Sequence, residues 1–251
     1  MERWILLEDK IFEHSVRLYY NDFDRYRKVK VSSLLHLMSD TAGIHYTGRG
    51  YSYDWMKEQN QVFLLSAMRF VKESEPMQDE IITVKTFEGD IKGAAFIRYF
   101  DLLGADGRML VQAASSWMLV NPISRKLIRP KDFIGTVDAL GVEREELHPQ
   151  RLKPQTETLL YTEQSERTVR FSDIDRNDHL YNAKYADMIY DALPQEYTQK
   201  NLTDFQIHYR SEAYCGDQLQ IGYEQKEDGL YVIGSNIEKG EICFAAKLQF
   251  E

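Results

Sequence analysis

The chain has 251 residues, 43% of them hydrophobic and 12% aromatic, with 31 Lys and Arg against 40 Asp and Glu for a net charge of −9. That acidic balance argues against nucleic acid as the main partner, since phosphate binding draws on clustered excess cation, and no run approaches the ~18 apolar residues of a membrane span. Cys215 and Cys243, with no Cys-x-x-Cys or paired His beside them, make neither a disulfide framework nor a zinc site, so no metal or cofactor is implied.

From the N-terminus, Met-Glu-Arg-Trp-Ile-Leu-Leu-Glu-Asp-Lys carries too short an apolar run for a targeting segment, and a cytoplasmic protein is expected. After a first strand, Asp22-Phe-Asp-Arg-Tyr-Arg-Lys-Val-Lys-Val turns into a helical pattern in which Val31, Leu34, Leu35, Met38 and Ala42 recur at i, i+3, i+4 and i+7 spacing. Four extended segments follow at 61–71, 81–87, 94–103 and 109–120, with Gly107 at the last turn. From about Pro122 to Gln164 the periodicity is lost, and Pro122, Pro130, Pro149 and Pro154 fall there. A structureless loop that long is uncommon in a compact domain, so a crossing connection with a short helix at 138–147 is predicted. A second helix at 182–191 and strands at 205–209, 218–223, 230–237 and 241–250 complete the chain.

The two halves are copies. Asp22-Phe-Asp-Arg falls on Asp173-Ile-Asp-Arg without a gap, and the helical face continues as Asn182, Tyr185, Ala186, Ile189 and Leu193. Each half reads as strand, helix, then four strands, an α+β arrangement of an antiparallel sheet wrapped round a helix. The shared Asp22 and Asp173 suit caps or Asx turns at a helix entrance. What differs is informative: Tyr26, Lys28 and Val31 in the first copy become Asn177, His179 and Asn182 in the second. An Asp at 175 to orient, an amide at 177 to donate and an imidazole at 179 near its titration range are the parts an acyl-transfer site uses, placed where a helix N-terminus favours negative charge on oxygen.

The run Asp173-Ile-Asp175-Arg-Asn177-Asp-His179-Leu-Tyr-Asn182-Ala-Lys184-Tyr185 resembles the Asp-x-Asn-x-His-(Val/Leu)-x-Asn-x-Lys-Tyr motif of the acyl-acyl carrier protein thioesterases. Tyr209-Arg210-Ser-Glu212 is similar to that family's Tyr-Arg-x-Glu strand, and Ser115-Ser-Trp117-Met-Leu-Val120-Asn121 before Arg125-Lys126 to its Ser-x-Trp strand and basic pair. The resemblance covers nearly the whole chain. It implies a tandem double hot-dog fold, two antiparallel sheets each wrapped round a long central helix. The units expected are an N-terminal hot dog for the acyl chain at 1–131, a connecting segment at 132–163 and a C-terminal hot dog with the catalytic motif at 164–251.

The same resemblance implies Asp175, Asn177, His179 and Glu212 as the catalytic set. The plant enzymes carry a Cys directly after that Glu, where this chain has Ala213, so a Cys-His nucleophile is disfavoured and Cys215 is read as structural. Glu212 is then expected to activate a water that Asn177 helps to hold, with Asp175 orienting Asn177 or His179. His179 would position the water or protonate the leaving sulfur, and the second helix's N-terminus would polarise the thioester carbonyl. Met38, Phe63, Leu65 and Met68 are candidates for the acyl slot. Arg125, Lys126, Arg129 and Lys131, or Arg25, Arg27, Lys28 and Lys30, are candidate docking patches for an acidic acyl carrier protein. The alternatives are an acyl-coenzyme A thioesterase of the same fold and a non-catalytic acyl-binding protein. Duplication supplies internally the pairing that single hot dogs obtain by dimerising, and a further homodimer stays open.

Overall fold

The computed structural model of the chain describes residues 10–152 and 163–251. In the first half, alternating and apolar runs form β1 (Phe12–Arg17), α1 (Val31–Gly48), a short α2 (Tyr53–Glu58), β2 (Val62–Lys72), β3 (Ile81–Lys92), β4 (Ala95–Leu103) and β5 (Met109–Val120). The second half repeats the order with β6 (Glu163–Thr168), α3 (Lys184–Ala192), α4 (Gln195–Thr198), β7 (Leu202–Tyr209), β8 (Gln218–Lys226), β9 (Gly229–Asn236) and β10 (Ile242–Phe250). Strand pairing repeats too: β1-β3-β4-β5-β2 in one half and β6-β8-β9-β10-β7 in the other.

Where two sheets are expected, the halves join into one sheet of ten strands. The equivalent strands β2 and β7 pair antiparallel, with Phe70 opposite Phe205. Both rings are fully buried and stack with centroids 5.4 Å apart. Arg69 Nη2 reaches Asp204 Oδ2 at 2.6 Å along the same seam. Like strand on like strand is the geometry of a two-fold homodimer interface, here built within one chain.

α1 buries Val31, Leu34, Leu35, Met38 and Ala42, the face its spacing predicts, together with Thr41 and His45. The second helix is shorter than the first. It runs Lys184–Ala192 and stops because Pro194 disfavours helical backbone at Leu193, which is extended at φ −82° and ψ 139°. α3 buries Tyr185, Ala186, Met188 and Ile189 and packs beside α1, so both helices and both half-sheets share one core.

The helix predicted at 138–147 does not form. Only Glu145–Leu147 makes a single 3-10 turn, because the backbone here is committed to the sheet: Leu140 N donates to Glu88 O, and Gly141 turns the chain with φ +74°. Leu147 packs on Phe87, Ile97 and Tyr99, and Leu152 on Ile233 and Ala245, which carries the connection from one half-sheet to the other. Residues 153–162 of that segment lie outside the described residues. Among the described residues no helix is long and apolar enough to cross a membrane.

Candidate active site

The Asp-x-Asp-Arg repeats fold identically. In the second copy, Asp175 Oδ1 accepts from Asn177 N at 2.7 Å and His179 N at 3.3 Å, Asp175 N donates to His179 O at 2.8 Å, and Asp178 takes φ +66°. In the first, Asp24 Oδ1 accepts from Tyr26 N at 2.7 Å and Lys28 N at 3.0 Å, Asp24 N donates to Lys28 O at 2.8 Å, and Arg27 takes φ +64°. This Asx turn is therefore a folding device common to both halves. Asp175 orients the backbone of Asn177 and His179 rather than the imidazole ring.

Beside the first turn is a cleft of about 360 Å³ lined by Asp24, Lys28, Lys72 and, from the other half, Thr198 and Lys200. Lys28, standing in the place of His179, crosses to donate from Nζ to the carbonyls of Gln199 and Lys200. That bond clamps the two halves together.

Beside the second turn lies a cleft of about 710 Å³ whose walls include Asn177, His179, Glu212 and Tyr214 from one half and Tyr53, Val62, Phe63 and Arg125 from the other. Leu180 N donates to Ala213 O at 2.8 Å, fastening the loop after β7 to the turn and bringing Glu212 to His179. His179 Nε2 and Glu212 Oε2 are 3.5 Å apart, beyond a normal hydrogen bond but close enough to share a water. Tyr214 Oη donates to the same Oε2 at 2.9 Å, and Arg125 Nη2 pairs with it as well. Among the described residues all three contacts fall on Oε2, which leaves Oε1 uncommitted. Burial lowers the His179 pKa below the ordinary imidazole value, with Asp175 opposing the shift and Arg125 reinforcing it.

Tyr53, Val62 and Phe63 also line a second cavity, of about 270 Å³, between α1, α2 and the sheet of the first half. Its walls are largely apolar: Ala42, Met56, Phe96, Ile97, Trp117 and Val137 among them. The α1 wall is Ser39, Ala42, Gly43, Tyr46 and Thr47, small residues at i, i+3, i+4 and i+8 with one tyrosine at i+7. Across from it sits a buried polar cluster. Glu88 accepts from Tyr46 Oη at 2.5 Å, Arg49 Nη1 at 2.7 Å and Asp138 N at 2.6 Å, and pairs with Arg98. Although burial works against it, Arg98, Tyr46 and the Asp138 amide hold the Glu88 carboxyl below its usual range.

Burial, with Arg98 and Arg49 nearby, pushes His45 down from 6.5 to about 4, and its Nδ1 lies 3.0 Å from Arg98 Nη1, which donates to it. Between those values the unfolded chain takes up a proton that the native state refuses. Stability is therefore whole above pH 6.5 and falls as pH drops toward 4, by at most about 3 kcal/mol before solvent screening. Urea unfolding at neutral and mildly acidic pH should show a smaller loss for His45→Gln, whose amide oxygen can still accept from Arg98.

The predicted residues separate as follows. Asn177, His179 and Glu212 meet in one cleft. Glu212 stands in the loop after β7, not on the strand. α3 is not among the cleft walls, so the expected role of its N-terminus in polarising a carbonyl has no support in the cleft where these residues meet. Of the four acyl-slot candidates, Phe63 lines the apolar cavity; Met38 and Met68 are fully buried in the main core, and Leu65 packs against that core. Helical periodicity marks the buried face of α1 but does not separate core from cavity wall; the small-residue stripe 39, 42, 43 was the signal for the latter. In the basic cluster, Arg125 lies in the cleft on Glu212 and Arg129 pairs with Asp132, while Lys126 and Lys131 are exposed. Tyr214 was missed, although it is two residues from Glu212. Cys215 is exposed and outside the cleft walls.

Family models of the acyl-ACP thioesterase N-terminal domain and C-terminal domain match residues 9–135 and 157–251. The chain belongs to the acyl-ACP thioesterase family. It is 25% identical over 217 residues to a chloroplastic palmitoyl-acyl carrier protein thioesterase of Arabidopsis thaliana, covering 80% of this chain and 51% of that one. A chloroplastic dodecanoyl-[acyl-carrier-protein] hydrolase of Cinnamomum camphora is 25% identical over 214 residues, covering 81% and 53%. The chain thus spans about half the length of these curated relatives. Among solved structures, an acyl-ACP thioesterase from Bacteroides thetaiotaomicron superposes with a TM-score of 0.85 at 25% identity, over 97% of this chain and 99% of that one. A 12:0-ACP thioesterase from Umbellularia californica shares the fold, with a TM-score of 0.79 at 17% identity over 98% and 99%. The tandem double hot dog is the fold of this family member.

Proposed function

We propose that this chain hydrolyses the thioester of fatty acyl chains carried on acyl carrier protein, releasing free fatty acid. The observation that carries this reading is the His179 and Glu212 pair, set in a cleft that shares Tyr53, Val62 and Phe63 with an apolar cavity. The acyl chain enters the cavity, walled by the N-terminal unit of 1–131 and Val137 of the connecting segment, and the thioester lies across the cleft beside the motif of the C-terminal unit, 164–251. Arg125 and Tyr214 hold Glu212 Oε2, so Oε1 faces a water that His179 positions. Glu212 takes the water's proton as its oxygen bonds to the carbonyl carbon, Asn177 donates to the developing oxyanion, and the proton passes to the sulfur as the C–S bond breaks.

The cleft walls carry Lys57, Arg125, Arg210 and Lys239 against Glu212 and Glu241, a local excess of cation on an acidic chain. That excess favours an acidic carrier and reconciles it with the net charge of −9. The docking surface is therefore the rim around Arg125, with Lys126, Arg129 and Lys131 extending it. Both halves of the site come from one chain, so a homodimer would add a second site without completing the first.

Hydrolysis of palmitoyl and shorter chains on carrier protein and on coenzyme A tests the reading. Preference for the carrier-bound ester is expected; preference for coenzyme A would move the substrate, and no turnover would leave an acyl-binding protein. Gly43 offers a handle on the slot. A Cβ built there meets nothing within 4 Å, so Gly43→Phe should fold and fill the cavity. The expected result is kcat/KM for the longest chains lowered by about tenfold or more relative to the shortest, the loss of a few buried methylenes.

A further inference from the structure

The deep end of the acyl cavity is charged. Arg98 and Glu88 are cross-strand partners on β4 and β3, both side chains are 4% exposed, and both line the cavity. Tyr46 joins that end of the cavity to the cleft end: its hydroxyl donates to Glu88 Oε1, and its ring packs edge-on against Phe63 with centroids 5.4 Å apart. Arg98 Nη1 donates to His45 Nδ1 at 3.0 Å and Thr86 Oγ1 at 3.2 Å, and the guanidinium lies 5.0 Å over the Tyr46 ring. Arg98 Nη2, by contrast, is buried with no hydrogen-bond acceptor; Glu88 Oε1 is 3.5 Å away, in ion-pair range only. A buried donor without an acceptor forfeits the bonds it makes in water. Glu88 Oε1 receives only the Tyr46 hydroxyl among the described hydrogen bonds, so a lone pair remains there.

Resting on the reading of this cavity as the acyl slot, we propose that it selects acyl chains bearing a hydroxyl at or beside the terminal carbon. The hydroxyl oxygen accepts from Arg98 Nη2, and its proton is donated to Glu88 Oε1. An unsubstituted chain would press methyl against a charged floor and leave Nη2 unmatched. A terminal carboxylate would satisfy Arg98 but set a second buried anion against Glu88. An oxo group would leave the Glu88 lone pair empty. A hydroxyl accepts and donates through a single oxygen, which matches one free donor facing one free acceptor.

The test is kcat/KM of the wild type on carrier-bound chains from octanoyl to octadecanoyl, each plain, with a terminal hydroxyl and with a terminal carboxyl. At the length that reaches the floor, the hydroxyl should raise kcat/KM by about tenfold to a hundredfold, with no gain at shorter lengths. Arg98→Met should abolish the gain. Calorimetric binding of the matched free fatty acids to the wild type gives the same comparison without turnover and without relying on the variant's folding. Equal or lower values for the hydroxylated chain at every length, or a larger gain with the carboxyl, would overturn the proposal. If no chain of any kind is hydrolysed, the thioesterase reading fails instead, and the binding comparison alone decides what the floor accepts.

Discussion

Glu212→Gln should lower kcat by roughly two orders of magnitude or more while leaving the melting temperature unchanged. The substitution keeps the shape of the side chain, and its amide oxygen can still accept from Tyr214, which now bonds Oε2 at 2.9 Å. What it removes is the capacity to take a proton from water. The Glu212 side chain is 25% exposed and that of its charge partner Arg125 58%, so folding has little at stake in the pair. Single-turnover hydrolysis of a carrier-bound ester, with thermal unfolding alongside, separates loss of chemistry from loss of structure. Activity near the wild-type level would remove Glu212 from the mechanism and return attention to His179.

Phe205→Ala should cost about 3–5 kcal/mol, because it empties a fully buried aromatic site. The ring lies on the strand pair that makes the two half-sheets one, stacked on Phe70. With a single core spanning both halves, unfolding in urea should remain one transition, shifted to lower denaturant, rather than split into two. Activity should fall with it even below the midpoint, since Arg125 and Glu212 meet across the halves. Two resolved transitions would mean that each half folds alone and that the seam contributes registration, not cooperativity.

How much was legible in the sequence follows from what kind of information each feature uses. Periodicity located α1 and all eight strands after the helices to within a few residues, because alternation and i, i+3, i+4 spacing are imposed by one-sided burial. Duplication located the turn, and the difference between its copies singled out Asn177 and His179. The connection misled: 138–147 has helix-forming composition, yet its backbone is held by Glu88 and its side chains by the back of the sheet. Arg125 read as one cation in a surface cluster, since nothing local says that the turn closed by Asn121 aims it at a residue of the other half. The continuous sheet was equally hidden, because an edge strand carries no mark of the partner it will meet. Met38 and Met68 show the limit of hydrophobicity as a guide to pockets: both fill the core, while α1 turns small residues to the cavity and Phe63, Phe96 and Trp117 close its other sides.

The Lys28 bond to the Gln199 and Lys200 carbonyls has a consequence for how such a chain can change over generations. In a homodimer of single hot dogs every substitution appears twice, and a turn must serve chemistry and assembly at once. Fusing the copies uncouples those demands. The turn at 175–179 is free to be tuned for reactivity, and the turn at 24–28 for cohesion, with neither improvement charged against the other. An inheritable division of labour is thus written into two segments that still share one backbone shape.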